Sequence, residues 1–434
     1  MRARQKLSRT DRERRRSRRA RTGLASGLAL AVLFGAAAVV APRPRLPRPT
    51  GPYAIGTTVR TWTDDSRPEP FTADPDDHRS VVAQIWYPAA PGPESDPDPY
   101  LDSATAAGLA ELLGVPPFAL GLVPGAATHA HADAPPAGGR FPVLVHLSGH
   151  SGFRGESQAW FEELVSHGYV VISLDQPGSA AHTVLPDGRE LAAVPKEEIL
   201  PFMPEQLDED TVPIMNGVEL PGGLIPFLAQ DASLTLDRAV ALDDRDQLLA
   251  GRLDTDRAGV FGLSLGGYTA PEACRQDQRF RACLVADAGQ TAPVAAEGID
   301  QPLMIMTRDA SSMRREREQA GGWPETEIRA TLESQRSLFE HSEGPAWFLT
   351  INDMHHLNWT DLPLWSPLFR WTGLAGPMAP DRGQALIGTF SRAFFDRTLK
   401  DRPAGVLAPP EDTAPGNSHG TVPDACPEVT LERR

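Results

Sequence analysis

A chain of 434 residues is too long for one minimal domain and fits one large domain with appendages. A hydrophobic fraction of 41%, with 8 Trp and 16 Phe, excludes wholesale disorder, and a formal net charge of −15 argues against a nucleic-acid partner. Only 3 Cys are present, which excludes a disulfide scaffold and a Cys-based zinc site.

Residues 1–22 form a basic tip on an otherwise acidic chain. The apolar run 23–41 (GLASGLALAVLFGAAAVVA) follows. As a helix it would span about 28 Å, close to a ~30 Å hydrocarbon core. Positive charge on the near side keeps the tip in the cytoplasm and sends the rest across. The run reads either as a cleaved signal peptide, with Ala36-Ala37-Ala38 as a small-residue site, or as an uncleaved transmembrane anchor. Both readings place the body outside the cytoplasm, secreted or held at the membrane by residues 23–41. Residues 42–55 open with PRPRLPRPTGP, a Pro-rich linker expected to be extended.

Residues 56–400 alternate between short β-rich runs and helical patterns. Strands are expected at 81–87 (VVAQIWY), 142–147 (PVLVHL), 169–174 (YVVISL), 258–262, 283–286, 302–306 and 346–351. Helices are expected at 156–167, 231–249, 267–275, 325–340 and 381–399. Near-continuous apolar strands separated by helices predict an α/β fold, a mostly parallel central sheet flanked by helices on both faces. The stretches 56–63 and 81–87 have no helix between them and read as an antiparallel edge. The pattern breaks in 178–226, an insertion around Ile199-Leu200-Pro201-Phe202-Met203 that reads as a lid or as ordinary packing. Residues 401–434 carry no long apolar periodicity and read as an irregular tail.

Gly262-Leu263-Ser264-Leu265-Gly266 matches G-x-S-x-G between a strand-like run and a helix opening at Gly266-Gly267. Such a turn raises the Ser264 hydroxyl above the sheet edge, with the helix N-terminus behind it favouring developing negative charge. A serine nucleophile needs a base, and the base an orienting carboxylate. Downstream lie His341, His355, His356 and His419. The pair His355-His356 follows the last sheet strand by a short turn, where an α/β sheet places its site. Asp287 and Asp309 both end strands on that edge, and spacing does not choose between them. The oxyanion needs two backbone N–H donors. One is expected from Leu265, the other from the turn Ser148-Gly149-His150-Ser151-Gly152. His150 also has a weaker reading as a catalytic or metal residue. His129 and His131, with Asp133 nearby, read as a possible metal pair or, more simply, as histidines on a solvent-facing strand. Cys274 and Cys283 flank a helix-to-strand turn and read as a disulfide or as buried thiols.

Three segments carry a likeness to a known family. SGHSGFRG with the following SHGYVVISLD resembles an oxyanion loop, helix and next strand; GLSLGG resembles a nucleophile elbow; HLNWTDL resembles an H-x-N-[FW]-x-D stretch around a catalytic histidine. The chain resembles the α/β-hydrolase superfamily, and within it the plasma-type platelet-activating factor acetylhydrolase group and its bacterial relatives. The likeness runs over roughly 81–400. It departs at Ser148-Gly149, where the family often has His-Gly, and in the 178–226 insertion. The resemblance implies His356 as base, Asp287 as the acid, and the amides of Leu265 and His150 as the oxyanion donors. Phe153 and Trp359, three residues past His356, are then candidates for lining a substrate pocket. The implied activity is that of a cofactor-free serine carboxylester hydrolase acting on short-acyl phospholipid-type or related esters. Polyester hydrolases and lipases share the elbow, a serine peptidase shares the fold, and a non-catalytic surface binding protein is the reading from another class.

Overall fold

The computed structural model describes residues 44–434 apart from 93–95, 115, 117–119, 121, 122, 124, 205–211, 404 and 408–425. The basic tip, the apolar run 23–41 and the start of the Pro-rich linker lie outside the described residues. Among the described residues no helix is long and apolar enough to cross a membrane.

In chain order the main elements are β1 (Ala54–Pro68), β2 (His78–Ala89), α1 (Ser103–Leu112), β3 (Ala130–Ala132), β4 (Phe141–Leu147), α2 (Gln158–Ser166), β5 (Val170–Asp175), α3 (Leu224–Arg245), β6 (Leu253–Leu263), α4 (Leu265–Gln276), β7 (Phe280–Ala286), α5 (Ala292–Glu297), β8 (Leu303–Arg308), α6 (Ala310–Ala320), α7 (Glu325–His341), β9 (Ala346–Ile351), α8 (Pro380–Leu399) and β10 (Val429–Arg433). The strands form one ten-stranded sheet in the order β10-β9-β8-β7-β6-β4-β5-β2-β1-β3. Strands β9, β8, β7, β6, β4 and β5 run parallel, while β2 and β10 are antiparallel to their inner neighbours.

Side-chain alternation builds the two cores. In β4, Val143, Val145 and Leu147 join one apolar cluster with α3, α4, α5 and α7, while Leu144 joins the other with α2 and α8. In β8, Leu303 and Ile305 face the first cluster and Met304 and Met306 the second. Both faces are covered, so the runs read as continuous in sequence and alternate in space.

Three expectations are corrected. The tail expected to be irregular ends in β10, which pairs with β9 from Trp347↔Arg433 to Ile351↔Val429. Its alternating Val429 and Leu431 are buried and Thr430 is exposed, a pattern too short to read against the Pro-rich stretch before it. The antiparallel pair β1–β2 is not the sheet edge, because β3 pairs with the outer side of β1. The helix expected from residue 231 begins at Leu224, with Pro226 in its first turn, where no intrahelical N–H is needed.

The insertion 178–226 holds two short hairpins, His182–Val184 with Glu190–Ala192 and Ile214–Met215 with Val218–Glu219. Its Ile199, Met215 and Leu220 pack with Leu224, Leu228 and Leu265, so the described part is a packed wall beside the elbow. A buried ion network holds this side of the domain. Arg79 donates to Asp231 at 2.7 Å and to Glu69 at 3.1 Å, and Asp231 also accepts from Arg67 at 2.7 Å and Gln176 at 2.8 Å. Asp231 and Arg79 are fully buried, so each neutralises a charge that water cannot reach. Asp231→Ala leaves the buried Arg79 guanidinium with Glu69 as its one carboxylate partner among the described residues and should lower unfolding free energy by about 3 kcal/mol, read by urea denaturation.

Candidate active site

Strand β6 runs straight into α4 through a turn with no spare space. A Cβ on Gly262 would lie 2.9 Å from the Gly266 α-carbon, and one on Gly266 would lie 2.9 Å from the Ser148 carbonyl oxygen while overlapping that of Leu147. Glycine is required at both positions by close approach. Between them Ser264 sits at φ 56°, ψ −117°, a strained conformation for a residue with a Cβ. Its N–H is tied to the Ala286 carbonyl at 3.1 Å, and the side chain is half-buried. Leu265 opens α4 directly after Ser264, where helical N–H groups have no intrahelical partner.

Asp287 follows β7 directly, also with positive φ (43°). Its Oδ2 accepts from His356 Nδ1 at 2.6 Å. With Nδ1 protonated toward the carboxylate, Nε2 is left as the acceptor. The Asp287 side chain is 1% exposed and that of His356 21%, so the carboxylate is sheltered and the imidazole is reachable. Burial pushes the Asp287 carboxyl up, but the Arg308 charge and the His356 hydrogen bond outweigh it and hold it below the usual range. Ser264, Asp287 and His356 thus follow β6, β7 and β9 at one sheet edge.

The competing residues lie elsewhere. Asp309 caps α6, accepting the Ser311 N–H at 3.0 Å. His355 is fully buried and its Nδ1 donates to the Gly373 carbonyl at 2.8 Å. Burial pushes its pKa down. His129 pairs with Glu162 at 2.8 Å, and among the described residues no group of His, Cys, Asp and Glu is arranged to hold a metal. Cys274 and Cys283 are buried free thiols in one core cluster. Trp359, expected at a substrate pocket, is instead 0% exposed and belongs to the apolar cluster of Met306, Met354 and Ile387. Its place three residues past His356 turns it inward, along a 3-10 turn. Phe153 is 3% exposed and lines a cavity of about 130 Å³ with Tyr100, Asp102, Thr105 and Arg154, which Ser264 does not border.

The turn after β4 carries the second expected donor. The Gly149 carbonyl accepts the Gly152 N–H at 3.0 Å, and the Gly149 N–H donates to Glu156 Oε1 at 2.8 Å. Burial pushes the His150 imidazole down, with Lys196 adding to the effect, and Nδ1 has no hydrogen-bond partner among the described residues. The loop after His356 docks onto the start of α2. Asp361 accepts the Ala159 N–H at 3.1 Å and the Tyr100 hydroxyl at 2.9 Å, and Ser157 donates to the Trp359 carbonyl at 3.1 Å. Asn358 accepts from His355 N–H at 2.8 Å and Gly376 N–H at 2.7 Å.

Sequence reasoning missed Arg308, Trp323 and Glu156. Arg308 is fully buried, binds Asp287 at 2.9 Å and Glu316, and lies 5.0 Å from the centroid of the Trp323 ring. Trp323 packs against His356 at 5.5 Å and 65°. The only signal for Arg308 was its place at the end of a buried strand, where a charge needs a partner.

No family model matches the chain. It is 24% identical over 284 residues to the platelet-activating factor acetylhydrolase of Bos taurus, covering 61% of this chain and 60% of that protein. For the enzyme of the same name from Cavia porcellus the figures are 25% over 278 residues, 61% and 60%. The chain thus spans about three fifths of the length of the curated relatives it matches. The solved structure of a ferulic acid esterase from Streptomyces cinnamoneus aligns with a TM-score of 0.66 and 25% identity, covering 90% of this chain and 99% of that one. With the sheet order above, the chain has an α/β-hydrolase fold. Gly266→Ala drives a methyl into the Leu147 carbonyl and should lower stability by about 3 kcal/mol or more in urea denaturation, with Gly383→Ala, whose site has room, as the control.

Proposed function

We propose that the protein is a serine carboxylester hydrolase working outside the cytoplasm. The observation that carries this reading is the 2.6 Å bond between His356 Nδ1 and buried Asp287, at the sheet edge where the strained Ser264 turn also ends. Ser264 Oγ attacks the ester carbonyl while His356 Nε2 takes its proton. Asp287, kept ionised by Arg308, stabilises the imidazolium that forms. The amides of Leu265 and His150 hold the oxyanion. His356 returns the proton to the leaving alcohol, and water, activated in the same way, cleaves the acyl-enzyme to the free acid. No step calls for a cofactor.

Two substrate classes have support. Identity to platelet-activating factor acetylhydrolases favours short-acyl phospholipid-type esters. The near-complete overlap with a ferulic acid esterase favours aromatic acyl esters as the second reading. The apolar run 23–41 behind a basic tip supports export and, if uncleaved, a position beside lipid. We put short-acyl esters first.

Residues 53–434 should hydrolyse p-nitrophenyl esters best at acetate or butyrate, and Ser264→Ala should lose about 10⁴-fold or more in kcat. A maximum on methyl ferulate selects the aromatic reading, and near-normal turnover in Ser264→Ala sinks both. Asp287→Asn should lose about 10³–10⁴-fold. Asp309→Asn should stay within about twofold of wild type, because Asn caps a helix as well as Asp.

A further inference from the structure

Glu156 has no part in the steps above, yet its carboxyl stands directly behind the turn that carries the second oxyanion donor. The residue is 5% exposed. Its Oε1 accepts the Gly149 N–H at 2.8 Å. Gly152 packs so tightly on it that a Cβ there would lie 2.8 Å from the Glu156 carboxyl carbon. A Cβ on Gly149 would lie 3.3 Å from Ser264 Cβ and 3.9 Å from Glu156 Oε1. One glycine therefore separates this carboxyl from the nucleophile.

The same contacts fix the peptide that matters. The Gly149 carbonyl is held by the Gly152 N–H at 3.0 Å. In a trans peptide the next N–H, that of His150, points the opposite way. With the Gly149 N–H pinned by Glu156 and its carbonyl by Gly152, both dihedrals at Gly149 are set, although glycine is the residue least able to set them itself. The main chain of Glu156 is anchored too: its carbonyl accepts the Asp361 N–H at 2.8 Å, in the loop that carries His356.

We propose that Glu156 is a positioning residue for the oxyanion hole: by gripping the Gly149 N–H it aims the His150 N–H at the developing oxyanion. This rests on the hydrolase reading. It also explains why a carboxyl is tolerated there. Burial pushes Glu156 up to about 8, Asp175 adds to the rise, and the Gly149 hydrogen bond opposes it. The ionisable groups around it do not offset this. Asp175 at the end of β5 is taken by Arg154. Burial keeps Asp361 well above the usual carboxylate range, beside Tyr100, and pushes His150 down. Near neutral pH the carboxyl is protonated and adds no negative charge beside an oxyanion. Above pH 8 it ionises and opposes one.

The stability consequence has a definite sign. The folded state holds this proton to about 8, the unfolded chain releases it near 4.5, so the contribution of Glu156 to stability is full below 4.5 and is lost as pH rises to 8.

The test compares wild type, Glu156→Gln and Glu156→Ala on p-nitrophenyl acetate from pH 6 to 10, corrected for spontaneous hydrolysis, with fluorophosphonate labelling of Ser264 and melting curves. Glu156→Ala should lose about 10-fold or more in kcat with KM within about twofold, because a misaimed donor acts on the transition state and not on binding. Glu156→Gln, which keeps the acceptor, should recover most of that loss and lack the fall in kcat that wild type shows above pH 8. Its Tm relative to wild type should rise from pH 5 to 8 and then level off. Wild-type kcat in Glu156→Ala, or an alkaline fall that persists in Glu156→Gln, overturns the assignment. If Glu156→Ala does not fold, the Glu156→Gln profile decides. A folded wild type inert to both ester and fluorophosphonate overturns the hydrolase reading and the role of Glu156 with it, whereas an active wild type with an unaltered Glu156→Ala overturns only the latter.

Discussion

The Leu147 carbonyl meets the α-carbon of Gly266 with no room for a methyl group between them. That approach fixes where β4 ends relative to α4, and both halves of the proposed oxyanion hole grow from it. The Gly149-His150 turn leaves β4 directly after Leu147, and the Leu265 amide is one residue from Gly266. It also holds Ser264 at positive φ, since the turn cannot relax without parting two central strands whose register runs from Leu253↔Phe141 to Gly262↔Leu147. The strain at one residue is supported by the sheet, together with the bond from the Ser264 N–H to the Ala286 carbonyl.

Around this turn two buried carboxyls are treated in opposite ways. Asp287 has a guanidinium at 2.9 Å and an imidazole at 2.6 Å, so its charge is favoured despite burial. Glu156 has one amide at 2.8 Å and, among the described residues, no cation paired with it, so burial wins. The carboxyl that faces His356 is thereby kept negative, and the one behind the Gly149 turn is kept neutral near pH 7. Trp323 closes the assembly by covering Arg308 and the edge of His356.

Much of the fold was legible because parallel strands buried on both faces leave unbroken apolar runs. The seven strands expected between 81 and 351 all overlap strands of the sheet, while their ends shift by one to a few residues because pairing, not composition, sets them. The elbow was legible because close packing demands glycine at 262 and 266, and glycine is visible in sequence. Asp287 and Asp309 were not separable by position, since both end neighbouring strands. What differs is that Asp309 turns onto the first amides of α6 while Asp287 turns toward His356. Charged residues such as Arg308 and Glu156 were missed because ionisable side chains read as surface by default, and only the fold supplies their partners. Trp359 was misassigned for the complementary reason: sequence proximity to His356 does not fix direction along a 3-10 turn.

The docking of Asp361, Ser157 and Trp359 at the start of α2 ties the histidine loop to the oxyanion turn through one helix end. Asp361 is fully buried there, and releasing it would expose the first turn of α2 and undo the Glu156 main-chain contact. The histidine loop and the turn after β4 therefore share an anchor. A change in the histidine loop thus reaches the Gly149 turn through hydrogen bonds at one helix end, from the Asp361 N–H to the Glu156 carbonyl and from the Glu156 carboxyl to the Gly149 N–H.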